Sequence, residues 1–160
     1  MDFTLRRATA CDADAIANVY YTPFRLLTFL PMLHTIEEYR WFISNVTLKQ
    51  CEVTVAEDDT GIVAFLARRG EEIRLLYTRP DRIGMGAGTQ LIEAAKTSGI
   101  GALDLWCFQA NERARRFLRS TRLPPHPIYR WCAERGADAR RPVSVETIGR
   151  CNDYQRRETC

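Results

Sequence analysis

The chain has 160 residues, one domain's worth at the usual ~100–200 residues per domain. Hydrophobic residues make up 46% and charged residues 27%, which supports a packed core and excludes disorder throughout. The formal net charge of +3 conceals a split: 14 Lys and Arg against 15 Asp and Glu up to Phe117, then nine arginines against five acids from Leu118 onward. The longest unbroken apolar run, residues 62–67, falls far short of the ~20 residues of a membrane span. The opening Met1, Asp2, Phe3, Thr4 has neither the basic nor the apolar region of a secretory leader. A cytoplasmic protein with reduced thiols is therefore expected. No Cys-x-x-Cys spacing occurs and the histidines are His34 and His126, so no metal site is expected.

Residues 3–7 alternate and predict a first strand. Ala13, Ile16, Ala17 and Tyr20 fall at helical spacing, which predicts a helix over 12–21. Pro23 and Pro31 bracket an irregular apolar stretch. Thr35 and Glu38 form a capping box, opening a helix that carries Ile36, Tyr39, Trp41, Phe42 and Ile43. Residues 51–56 alternate as a strand, Asp58-Asp-Thr-Gly61 turns the chain, and 62–68 return as a more buried strand. Gly70 breaks that strand and 72–78 form another. A glycine-rich loop follows over 79–88, then a helix over 89–98 with Leu91, Ile92 and Ala95 on one face, stopped by Gly99 and Gly101. Residues 102–108 read as a strand, and 111–117 begin a last helix. The order β-α-α-β-β-β-α-β-α predicts a mixed α+β fold: a sheet of hairpins plus one crossover.

The chemistry lies in the loop Arg79-Pro-Asp-Arg-Ile-Gly84-Met-Gly86-Ala-Gly88-Thr89, between a strand and a helix. Alternate glycines leave backbone amides unshielded and permit positive φ. With the amides at the next helix's N-terminus they form an anion cradle, to which Arg79 and Arg82 add charge. A diphosphate fits such a cradle. No Gly-Lys-Ser/Thr follows, which excludes a P-loop. The Gly-x-Gly-x-Gly spacing after an antiparallel meander argues against a dinucleotide-binding fingerprint. A tight glycine turn without a ligand is the plain structural alternative.

This segment resembles the GNAT superfamily of CoA-dependent N-acetyltransferases, whose motif is Arg/Gln-x-x-Gly-x-Gly/Ala between the fourth strand and the following helix. Gly86, Ala87 and Gly88 match its end, and the usual Gln/Arg position falls on Ile83, with Arg82 beside it. The resemblance continues through residues 103–111, ending on Asn111, and through 114–117, the start of the last helix. It covers about residues 3–117. It implies a mostly antiparallel central sheet with helices on both faces, and transfer of an acetyl group from acetyl-CoA to an amine. It implies that Arg82, Ile83, Gly84, Gly86, Ala87, Gly88 and Thr89 hold the diphosphate, that the backbone of Leu75, Leu76 and Tyr77 holds the pantetheine and thioester, and that Asn111 contacts the cofactor. Glu72 and His34 are the candidate bases, each with an ordinary structural alternative. Tyr20, Tyr21, Phe24 and Trp41 either line the acceptor site or belong to the core. The acceptor would be the amine of a small molecule or a peptide, with neither membrane nor nucleic acid as partner.

The pattern stops after Phe117. The family places there a Tyr that protonates the leaving thiolate, then a final β-hairpin; this chain has Leu118, then Pro124, Pro125 and Pro127. Read one base out of frame, with permitted codons, residues 118–123 become Tyr-Glu-Ala-Arg-Gly-Phe, the family's expected continuation. Residues 1–117 are thus expected to form the acetyltransferase domain and 118–160 an irregular Arg/Pro-rich tail of frameshifted origin, the final hairpin missing. An unpaired strand edge would favour self-association into a homodimer. The alternative function is a CoA-binding remnant that no longer catalyses.

Overall fold

The computed structural model describes residues 2–24, 34–98, 103–105 and 111–121. They fall into two compact units, one ending at Leu103 and one beginning at Asp104. The first unit contains β1 (Thr4–Arg7), a 3-10 turn (Ala10–Asp12), α1 (Ala13–Phe24), α2 (Ile36–Phe42), a π-helical turn (Ile43–Thr47), α3 (Leu48–Gln50), β2 (Glu52–Asp58), β3 (Gly61–Arg69), β4 (Glu72–Thr78), a 3-10 turn (Pro80–Arg82) and α4 (Ala87–Thr97). The second contains β5 (Asp104–Leu105) and α5 (Glu112–Ser120).

In the first unit, β1, β2, β3 and β4 lie side by side in that order, every neighbouring pair antiparallel. The pleat sends alternate residues of β3 to opposite faces. One face carries Val53, Val55, Phe65 and Ala67, buried under Ile16, Ala17 and Val19 of α1 and Tyr39 and Ile43 beyond it. The other carries Ala64, Leu66 and Ile73, also buried, and there α4 sets down Leu91, Ile92 and Ala95. The fold is the mixed α+β arrangement expected, with helices on both faces of an antiparallel sheet.

Two irregularities shape the sheet. Between β2 and β3 the register shifts so that Val63 has no opposite residue, and between β3 and β4 it shifts at Arg74. Each extra residue bends and twists its strand.

Local sequence explains the ends of the helices. Thr35 accepts from the Glu38 amide at 3.3 Å while the Glu38 carboxylate accepts from the Thr35 amide at 2.6 Å, the reciprocal cap expected. Before α1 the Asp12 carboxylate likewise accepts from the Thr9 amide at 2.7 Å, and from the Thr9 hydroxyl at 2.9 Å. Helix α1 outruns its expected end at Tyr21 and takes in Pro23, whose missing amide in the last turn costs one terminal bond only. The α2 helix does not stop at Ile43 but widens into the π turn, which leaves the buried Thr47 hydroxyl without a hydrogen-bond partner among the described residues.

In the second unit α5 runs past Phe117, where the resemblance was expected to end, to Ser120, and Leu118 within it is buried. The expected irregular tail and missing hairpin otherwise fall on residues 122–160, outside the described residues. So do residues 102 and 106–108 of the strand expected over 102–108. No described helix is long and apolar enough to cross a membrane.

Candidate functional site

The β4–α4 junction is built by backbone conformation. After Thr78 the Arg79 amide donates to the Val63 carbonyl at 2.7 Å, which fixes where the chain leaves the sheet. Pro80 opens the 3-10 turn, closed by Arg82 N to Arg79 O at 2.9 Å. Gly84 (φ 87°) and Gly86 (φ 99°) then take left-handed conformations that L side chains avoid. Gly86 is the N-cap of α4, so no side chain covers the amides there. The first α-helical bond is Gln90 N to Gly86 O at 3.0 Å, which leaves the amides of Ala87, Gly88 and Thr89 without intrahelical acceptors. The first turn holds no carboxylate to compete for them. A Cβ built at Gly84 or Gly86 meets no atom within 4 Å, so the space over the loop is open. Amides, helix dipole and open space together suit a diphosphate.

The loop's arginines are engaged within the protein. Arg82 Nε donates to Asp58 Oδ2 at 2.7 Å and Arg82 Nη1 to Asp81 Oδ2 at 2.8 Å. Arg79 grips Asp81 through Nε and Nη2 and reaches Thr60 Oγ1 at 2.9 Å. Asp58 and Thr60 belong to the β2–β3 hairpin, and sequence reading gave them no role beyond the turn. The Asp-x-Thr pattern signals that turn; its partnership with Arg82, 24 residues on, is tertiary.

Leu75, Leu76 and Tyr77 stand together on β4, each half-buried, leading from the bulge at Arg74 toward the glycine loop. Ile83, in the family's Gln/Arg position, is half-buried in extended conformation. Glu72 is the first residue of β4, at its far end, with Oε2 3.2 Å from Arg74 Nη2. His34 lies just before the Thr35 cap, its Nδ1 3.5 Å from Glu38 Oε2 and its ring edge-on to Tyr39. The two candidate bases thus have separate surroundings. Asn111, in the second unit, caps α5 by accepting from the Ala114 amide at 3.1 Å.

Between α1, α2, β3 and β4 lies a cluster of aromatic rings. Tyr20 is at its centre, 4.7 Å from Tyr39, 4.5 Å from Tyr77 and 6.3 Å from Phe65, centroid to centroid. Tyr21 joins through Tyr39. Trp41 does not: it is 63% exposed. Among the described residues, no group of three or more His, Cys, Asp or Glu is placed to hold a metal ion.

The family profile described as "Acetyltransferase (GNAT) family" matches residues 14–121. Comparison with curated protein sequences returns no match. Among solved structures, the apo form of YjaB from Escherichia coli is similar at 22% identity and TM-score 0.61, over 76% of this chain and 82% of that one. The PaiA N-acetyltransferase of Thermoplasma acidophilum, in complex with coenzyme A, is similar at 17% identity and TM-score 0.59, over 75% and 88%. The ribosomal-protein-alanine N-acetyltransferase of Brucella melitensis biovar Abortus 2308 gives 15% and 0.59, over 74% and 89%. At these identities the likeness is one of fold.

Proposed function

The chain belongs to the acetyltransferase (GNAT) family, and from that premise we propose that it transfers an acetyl group from acetyl-CoA to the amine of an acceptor by direct attack. The observation that carries the reading is the β4–α4 junction: two glycines at positive φ, a side-chain-free N-cap and no carboxylate in the first helical turn. The backbone of Ile83, Gly84, Gly86, Ala87, Gly88 and Thr89 holds the diphosphate, with Arg82 beside it. The backbone of Leu75, Leu76 and Tyr77 aligns the pantetheine and polarises the thioester carbonyl. Asn111 makes a further cofactor contact.

The neutral acceptor nitrogen attacks the carbonyl carbon, the C–S bond breaks, and the ammonium proton leaves to a base. Glu72, as base or as the group that positions a water, and His34 are the two candidates for that proton. The departing thiolate needs a proton in return. Leu118 has none to give, and its side chain is buried. That observation favours a second reading for the chain as it stands: acetyl-CoA is bound and turnover is slow, by the ~10²–10⁴-fold that general acid help is worth.

We assign residues 1–117 to the acetyltransferase domain and read 118–160 as a frameshifted translation. The acceptor is the amine of a small molecule or a peptide. The test is incubation with acetyl-CoA and a panel of amines, following CoA release and acceptor mass, for this chain and for the product of a gene lacking one nucleotide at codon 117 or 118. Faster turnover by the second supports both readings. Equal rates overturn the frameshift, and no CoA binding by either overturns the function.

A further inference from the structure

Five side chains close a ring between the β2–β3 hairpin and the turn that precedes the glycine cradle. Asp58 Oδ1 accepts from the Thr60 amide at 2.8 Å and from the Thr60 hydroxyl, while Oδ2 accepts from Arg82 Nε at 2.7 Å. Arg82 passes to Asp81, Asp81 to Arg79, and Arg79 returns to Thr60 Oγ1. Thr60 can serve both neighbours because a hydroxyl donates and accepts at once. The Asp58 side chain retains 6% of its exposure and that of Arg82 17%, so the central pair is largely shielded from water. Such a pair holds its geometry better than an exposed one.

The ring has two arginines and two aspartates and is electrically neutral. It therefore adds little net attraction for an anion, and what it supplies is shape. Arg82 is the residue whose carbonyl takes the Met85 amide at 3.3 Å and whose amide closes the turn onto Arg79. Fixing its guanidinium fixes the run into Gly84 and Gly86, whose left-handed backbone an untethered glycine loop would leave readily.

We propose that Asp58 is a positioning residue for the acyl-CoA site: from the neighbouring hairpin it holds Arg82, and through Arg82 it keeps the glycine loop in the shape that receives a diphosphate. This rests on the function proposed above. The loop is preorganised before the cofactor arrives, and binding does not have to order it.

The test is calorimetric titration of CoA into the unaltered protein and into Asp58→Asn, Arg82→Gln and the double variant, with the melting temperature of each measured without ligand. The expected result is about a tenfold loss of affinity in each single variant, the usual scale for a charged hydrogen bond. The double variant should lose no more than Arg82→Gln alone, because without Arg82 the Asp58 carboxylate has no guanidinium to hold. A lowered melting temperature with unchanged affinity would make Asp58 a hairpin brace only. Tighter binding by Asp58→Asn would make Arg82 a phosphate ligand that Asp58 restrains; either result overturns the proposal.

If Asp58→Asn does not fold, hydrogen exchange on the unaltered protein decides. CoA should slow exchange of the Thr60 amide, which is bonded to Asp58, along with the Ile83 and Met85 amides. Slowing in the loop with no change at Thr60 overturns the positioning role alone. No binding of CoA by the unaltered protein overturns the proposed function and this inference with it.

Discussion

Replacing Gly86 with valine separates two costs that the structure keeps distinct. At φ 99° an L side chain is strained, although an added Cβ would meet no protein atom within 4 Å. The folded protein therefore bears only a backbone cost, on the order of 1–3 kcal/mol. Binding bears another. The new side chain stands over the amides that cap α4, and each hydrogen bond to a charged group is worth roughly 1.5–3 kcal/mol. Losing two such bonds lowers CoA affinity by about a hundredfold or more. The assay pairs thermal unfolding with calorimetric titration of CoA. Gly70→Ala is the control: Gly70 also has positive φ and open space, but sits in the β3–β4 turn, at the end of β4 away from the loop. It should lose stability and keep its affinity. A folded Gly86→Val that binds CoA normally would refute the placement of the diphosphate; an equal loss in Gly70→Ala would show that strain, not position, weakens binding.

Other consequences concern stability and reactivity. The buried Thr47 hydroxyl lacks a partner among the described residues, so Thr47→Val, nearly the same shape, should hold or raise the melting temperature; a fall of several degrees would mean the hydroxyl is bonded. Arg6 holds the Asp12 carboxyl well below the usual carboxylate range, Thr60 and then Arg82 do so for Asp58, and Arg79 lowers Asp81. Such acids contribute stability above the unfolded value of about 3.9 and lose it as pH falls through their folded values. The melting temperature should thus be level from about pH 7 to 5 and drop below about 4, less steeply in Asp12→Asn; an equal drop in that variant would contradict the assignment. Burial pushes the half-buried Cys51 thiol up, whereas Cys11 is exposed. Peptide mapping after brief alkylation at neutral pH should find Cys11 modified well before Cys51, and the reverse order would contradict this burial.

Local signals in the sequence were enough for the elements that depend on neighbours. The Thr35–Glu38 box, the Asp58–Gly61 turn and the alternation of β4 each act within a few residues, and each appears where expected. The glycine spacing likewise marked the left-handed turns at Gly84 and Gly86, because positive φ is a property of single residues. What escaped depends on partners far apart. The π turn arises within an unbroken helical pattern, and the bulges at Val63 and Arg74 come from strand pairing. The side-chain ring around Asp58 joins residues 24 apart, so Arg82 read as a free cation when it is a held one. Helix α1 runs past the expected 12–21 because a proline near the end of a helix costs little. Tyr20 was visible as an apolar residue at helical spacing, but its place among Tyr39, Phe65 and Tyr77 needs the packing of α1 on the sheet.

Whether the β4–α4 junction receives acyl-CoA is decided by titrating acetyl-CoA into isotopically labelled protein and following its backbone amides by NMR. Saturable shifts are expected at Ile83, Gly84, Gly86, Ala87, Gly88 and Thr89, with smaller ones along Leu75, Leu76 and Tyr77, and little change in β1. Saturating acetyl-CoA that leaves the glycine-loop amides unmoved would contradict that placement.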